Sequence, residues 1–169
     1  MSTAPVEALL ALLDEAYDRR AWHGTNLRGA VRAIAPHQVT GRPGPGRHNV
    51  WELVVHAAYW KYVVRKRVSG APRSGFPLAG TNFYPREGLF DAGRWQADLD
   101  LLADQHRQLR AAVAGLDAAA FDRSVGGKPL AWTIRGAAAH DLYHAGQIQL
   151  LKALAPPPRR AAAPKGAVR

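Results

Sequence analysis

The chain has 169 residues, no Cys, a single Met, 16 Gly and 12 Pro, a length that gives one domain able to bury an apolar core without cross-links. Hydrophobic residues at 47 % and charged residues at 21 % describe a globular chain rather than a disordered one; no run of about 18 apolar residues exists to span a bilayer, and zero Cys excludes disulfides, thiolate metal sites, iron–sulfur clusters and cysteine nucleophiles together. The net charge of +10 says less about nucleic acid than its size implies, because residues 159–169 hold four basic residues and no acid, leaving 19 basic against 13 acidic in residues 1–158, and no recognition motif accompanies the charge.

The opening MSTAPVEALLALLDEAYDRR has acids soon after its apolar part and no leading basic cluster, which is not the pattern of a secretory signal; a cytoplasmic address is the expectation. Within it, Val6, Leu9, Leu10, Leu13, Ala16 and Tyr17 fall at helical spacing and predict a helix over 4–21. Gly24 suits a helix end and Thr25 a new start, followed by a short stretch through Leu27, Ala30, Val31 and Ile34. The Pro- and Gly-rich residues 36–48 predict loop.

Asn49-x-x-Glu52 then reads as a capping box opening a helix from 50 to about 68, with Leu53, Ala57, Trp60 and Val64 on its apolar stripe. Residues 69–91 form a long connection, the kind that runs the length of a bundle and leaves its flanking helices parallel. Asp91 caps a helix over about 92–114, with Trp95, Leu99, Leu102, His106, Leu109 and Val113 along one side. A helical turn over 117–122 and a Gly-Lys-Pro loop over Val125–Leu130, with room for short extended structure, precede the last long helix, about 134–154, which Thr133 starts and Pro156–Pro158 ends. Trp60, Trp95 and Trp132 are expected in the core. Four long amphipathic helices predict an all-α bundle over residues 1–155, with a basic, disordered tail over 156–169.

His140 and His144 stand at i and i+4 on the last helix, one turn apart on the face that also holds Ala137, Gln147, Ile148 and Leu151. No His-Glu-x-x-His is present, since position 141 is Asp, and a zinc-protease site is excluded. His56 lies on the inner side of the second long helix, between Leu53 and Ala57–Trp60. Three inward imidazoles are expensive to bury without partners. One divalent ion would satisfy all three and still keep open positions, as catalytic sites do. All-nitrogen ligation suits zinc or nickel. His48 stands eight residues before His56, with little to make it an extra ligand; His23, in Trp22-His23-Gly24, is a candidate for lining a pocket, and His37 and His106 carry no pattern. Asp141 and Gln147 are candidates for orienting a ligand histidine.

The strings NVWELVVHAAYWKYVVRKRV and AAHDLYHAGQIQLLKAL, with AWHGTNLRGAV near the front, resemble the DinB-like family, which takes in YfiT-like proteins and thiol-dependent transferases and isomerases. One His on the second bundle helix and His-x-x-x-His-x-Gly-Gln on the last carry that resemblance. It implies a four-helix bundle of up-down-down-up order with a long crossover between helices 2 and 3, and a divalent metal on His56, His140 and His144. It further implies a homodimer and an enzyme acting on a small-molecule substrate, either by transfer from a low-molecular-weight thiol cosubstrate or by hydrolysis. No catalytic residue beyond the metal ligands is visible. The competing expectation is a non-catalytic metal-binding stress or sensor module.

Overall fold

The computed structural model describes residues 4–72 and 75–155. The described residues form six helices: α1 (Ala4–Tyr17), α2 (Leu27–Ala30), α3 (Pro36–Thr40), α4 (Val50–Ser69), α5 (Ala92–Ala114) and α6 (Leu130–Leu154). A 3-10 turn (Ala118–Asp122) and a small antiparallel ladder of β1 (Ser124–Val125) and β2 (Lys128–Pro129) join α5 to α6. The described residues are therefore all-α apart from that ladder. Among the described residues no helix is long and apolar enough to cross a membrane. The predicted proline stop and basic tail lie outside the described residues.

The caps of α4 and α5 fall where the sequence puts them. Asn49 Oδ1 accepts from Glu52 N and Asp91 Oδ1 from Arg94 N, each at 2.9 Å, which satisfies first-turn amides that have no partner inside the helix. Only half of the expected capping box forms. The Glu52 carboxylate turns away from the Asn49 amide toward stronger donors, the guanidinium of Arg42 and the ring of His48.

Other boundaries differ from expectation for local reasons. α1 stops at Tyr17, because the amides of Asp18 and Arg19 both close onto the Asp14 carbonyl. The cap of α2 is Asn26 rather than Thr25; its Oδ1 accepts from Gly29 N while its Nδ2 donates to Arg19 O. Residues 36–40 are helical, not loop. Proline is preorganised for a first helical position, and Gln38 Oε1 accepts from Ala35 N. Gln38 Nε2 then donates to Lys152 O, and Lys152 Nζ donates to Ala30 O, which ties α2 and α3 to the end of α6. α6 begins at Leu130, a turn before the predicted start, since the ladder delivers Leu130 into the core and its amide onto Arg123 O. Trp95 is buried and Trp60 half-buried, but Trp132 is 53 % exposed.

The long helices pack α4 on α5, α4 on α6, α1 on α6 and α1 on α5. They enclose two apolar clusters. One gathers Leu27, Val54, Ala58, Leu102 and Ile148; the other gathers Leu13, Val68, Leu109, Leu130 and Ile134. At the border between them sit three buried polar side chains, Lys61, His106 and Asp141. Lys61 Nζ donates to Asp141 Oδ2 and lies 3.4 Å from His106 Nδ1 and 4.9 Å from the Tyr17 ring centroid. Burial pushes the Asp141 carboxyl up, and Lys61 pulls it back. Losing one member of a buried ion pair strands the other in low dielectric. Lys61→Met is therefore expected to cost about 3–5 kcal/mol, and Lys61→Met with Asp141→Leu to recover most of that loss. Urea unfolding checks this; a single variant as stable as wild type refutes it.

Candidate metal centre

His56 belongs to the second turn of α4, and His140 and His144 to successive turns of α6. The packing of α4 on α6 brings the three rings together. His140 Nε2 lies 3.2 Å from His56 Nε2 and 3.0 Å from His144 Nε2. Ring centroids are 4.3 to 5.0 Å apart, and one nitrogen of each ring falls within 4.8 Å of the others. His56 and His144 are buried and His140 is half-buried. The two segments of sequence that hold these histidines meet at one point.

Two of the rings are held from behind. His56 Nδ1 donates to the Asn82 carbonyl at 2.9 Å, and Phe83 stacks on its face at 3.9 Å. Asn82 also accepts from Trp60 Nε1 at 3.0 Å through its side chain. It sits at φ +65°, in the left-handed region that Asn tolerates better than most residues. His144 Nδ1 donates to Gln147 Oε1 at 2.6 Å, and Gln147 Nε2 donates to Tyr143 Oη at 3.1 Å. Of the two residues expected to orient a ligand, Gln147 does so, whereas Asp141 faces Lys61.

Burial keeps the rings uncharged. It lowers the His140 pKa to about 3, with His144, His56 and Lys61 adding to the effect. It lowers His144 to about 4 against the opposing Gln147 bond, and lowers His56 against the Asn82 bond. Neutral rings with a proton on Nδ1 carry a lone pair on Nε2. His56 and His144 thus both aim a lone pair at His140 Nε2, which can supply at most one proton. At least one contact in this cluster needs a cation in place of the missing hydrogen. Zinc–nitrogen bonds of about 2.0–2.1 Å place tetrahedral ligands about 3.4 Å apart, close to the spacings here, so the donor set fits such an ion.

A cavity of about 450 Å³ opens beside the three rings. Leu53, Phe83, Leu150 and Leu151 give it apolar walls, and Arg47 and His48 give it polar ones. The family model of the DinB superfamily matches residues 19–148. The chain belongs to the DinB superfamily. No curated protein and no solved structure matches the chain. The matched stretch of this DinB-superfamily chain runs from before α2 into α6 and contains all three histidines.

His23 is exposed and His37 half-buried, and neither lines the cavity. His106 lies in the core with its pKa lowered to about 3 by burial, then by Lys61 and Arg110. Sequence reasoning missed Asn82 and Phe83. An Asn in a Gly-rich connection signals a left-handed turn, but nothing local says that its carbonyl reaches a histidine 26 residues earlier.

The lowered pKa values fix a pH dependence. His106, His140 and His144 protonate less readily in the folded chain than at their ordinary value of 6.5. The unfolded chain therefore takes up protons first as pH falls. Their contribution to stability is full above about pH 6.5 and is lost below it, by up to about 1.4 kcal/mol per pH unit for each group. Urea midpoints of chelator-treated protein between about pH 7 and 5 check this. A midpoint that does not fall over that range refutes it.

Proposed function

We propose that His56, His140 and His144 hold one divalent transition-metal ion, zinc or nickel, and that the protein is a metal-dependent enzyme acting on a small molecule in the adjoining cavity. The observation that carries this reading is the clash of imidazole lone pairs at 3.0–3.2 Å beside an open cavity. A structural zinc is closed by four protein ligands, whereas three ligands and a vacant approach are the pattern of a catalytic one. Bound there, the ion supplies Lewis-acid chemistry, polarising an electrophile or favouring the thiolate form of a thiol cosubstrate. The chain's own residues do the rest. Asn82 and Gln147 hold the ring tautomers, and Leu53, Phe83, Leu150 and Leu151 limit water around a bound molecule. With no Cys in the chain, any thiol comes from a cosubstrate. Transfer from such a thiol and hydrolysis are the two reactions this centre serves.

The same reading includes an up-down-down-up bundle. Trp51 bonds Asp98 and Lys61 meets His106, pairs that advance together along α4 and α5, while His56–His144 and Lys61–Asp141 run oppositely along α4 and α6. It also includes a homodimer in the cytoplasm. Trp132, Tyr143, Leu150 and Leu154 expose an apolar stripe on α6 that a second copy would cover. Sedimentation at the mass of one chain would remove the dimer from the reading.

Protein purified without a polyhistidine tag is expected to carry about one zinc or nickel ion per chain, lost in His144→Ala. Elemental analysis of both checks this; a folded wild type that takes up neither metal refutes it. Turnover of small electrophiles with a panel of thiols is expected to vanish on chelation and return with metal. Metal binding without turnover favours the non-catalytic module instead.

A further inference from the structure

A fourth imidazole stands on the wall of the cavity. His48 Nδ1 lies 2.9 Å from Glu52 Oε2, and the ring lines the same space as His56, His140 and His144. Glu52 is buried, and its carboxylate also accepts from Arg42 Nη1 at 2.9 Å, Arg42 Nη2 at 2.5 Å and the Arg86 amide at 3.1 Å. Burial by itself would push this carboxyl up, but the hydrogen bonds from Arg42, His48 and Arg86 outweigh it and hold the pKa at about 2. Glu52 is thus an anion at neutral pH. A carboxylate only accepts, so the ring proton of His48 is on Nδ1 and the lone pair of the neutral ring is on Nε2. Among the described residues, only Glu52 hydrogen-bonds this ring. Its plane is fixed by Phe83, stacked on it at 3.7 Å and 4°, while His56 stacks on Phe83 at 3.9 Å and 10°. His48 therefore stands two ring-stacking distances from His56, outside the three-nitrogen cluster but within reach of a molecule beside it.

We propose that His48 is an acid–base group of this cavity, oriented by Glu52. Its Nε2 lone pair takes the proton of a weakly acidic X–H group, a thiol, hydroxyl or water, held beside the three-histidine centre. The electron pair of the X–H bond stays on X, and the Glu52 carboxylate balances the imidazolium that forms. The same proton is later given to the leaving group, which restores the neutral ring. A carboxylate–imidazole pair placed this way sets the tautomer of the ring. The other charged or titratable groups around His48 are Arg42, held by Glu52; Arg47, next in the chain; His56, behind Phe83; and His140, His144 and Tyr143 on the shared cavity. The proposal rests on the part of the proposed function that makes the cavity a substrate site.

The test uses the full chain incubated with zinc and p-nitrophenyl acetate as probe, with water as the X–H group. Wild type is expected to cleave the probe faster than free imidazole at equal concentration. The rate is expected to rise with pH along one limb, and long-range nitrogen–proton spectra are expected to place the His48 ring proton on Nδ1. His48→Asn keeps an N–H donor for Glu52 but no base. It is expected to lower the rate about tenfold or more and to remove that pH limb, with melting temperature and zinc content unchanged. His48→Gln serves if the first variant does not fold. A wild-type rate no faster than free imidazole, a variant with the wild-type rate and pH profile, or a ring proton on Nε2 overturns the proposal. A His48-dependent rate in a chain that binds no zinc supports it and sinks the metal reading alone. Normal zinc content with a His48-independent rate sinks the proposal alone.

Discussion

Lys61 and Asp141 can be buried only together. Each is about 1 % exposed, and they face each other across the packing of α4 on α6. A slip of one helical turn, about 5.4 Å, would leave an ammonium and a carboxylate separately in an apolar interior. Apolar residues on either side tolerate such a slip far better than a charge pair does. The Asp141 Oδ1 atom has no partner among the described residues, so Lys61 carries nearly all of the compensation. Asp141 follows His140 directly, and Lys61 lies five residues after His56 on the same helix. The register that joins the charges is the register that joins the three imidazoles.

The connection between α4 and α5 matters as much as the helices it links. Its residues 82 to 86 back the centre at successive points: Asn82 on His56 and Trp60, Phe83 between His48 and His56, and the Arg86 amide on Glu52. Arg86 is anchored in turn by Asp98 at 2.7 and 3.1 Å, and Trp51 Nε1 donates to the same carboxylate at 2.6 Å. Residues 82 to 86, without helix or strand, are therefore held in place by contacts that lead to buried acids. Functional loops gain precision in this way from the scaffold beneath them.

Three buried acids of this protein each gather partners from distant parts of the chain. Glu52 joins Arg42, His48 and the Arg86 amide; Asp98 joins Arg86 and Trp51; Asp141 joins Lys61. The three histidines of the cluster differ, since their Nε2 nitrogens face one another rather than a donor or acid. Burial keeps them neutral, and neutrality leaves nitrogen lone pairs aimed at a common point. Those are the conditions under which imidazoles bind a transition metal in place of a proton.

Periodicity alone determined the four long helices and the inward placement of His56, His140 and His144, because those signals depend only on spacing within one helix. Asn49 and Asp91 determined two helix starts for the same reason: a cap acts over three residues. The family was also legible, through one His in the second long helix and the His-x-x-x-His-x-Gly-Gln string of the last. Tertiary structure decided what depends on partners distant in the chain. It turned Glu52 from half of a capping box into a hub for Arg42, His48 and Arg86, and it turned Asp141 from a candidate behind His140 into the partner of Lys61. It exposed Trp132 and drew Leu130 into the core. Charge pairing and desolvation act through space, between residues 10 to 80 positions apart here, and no local pattern of residues encodes which of those partners will meet.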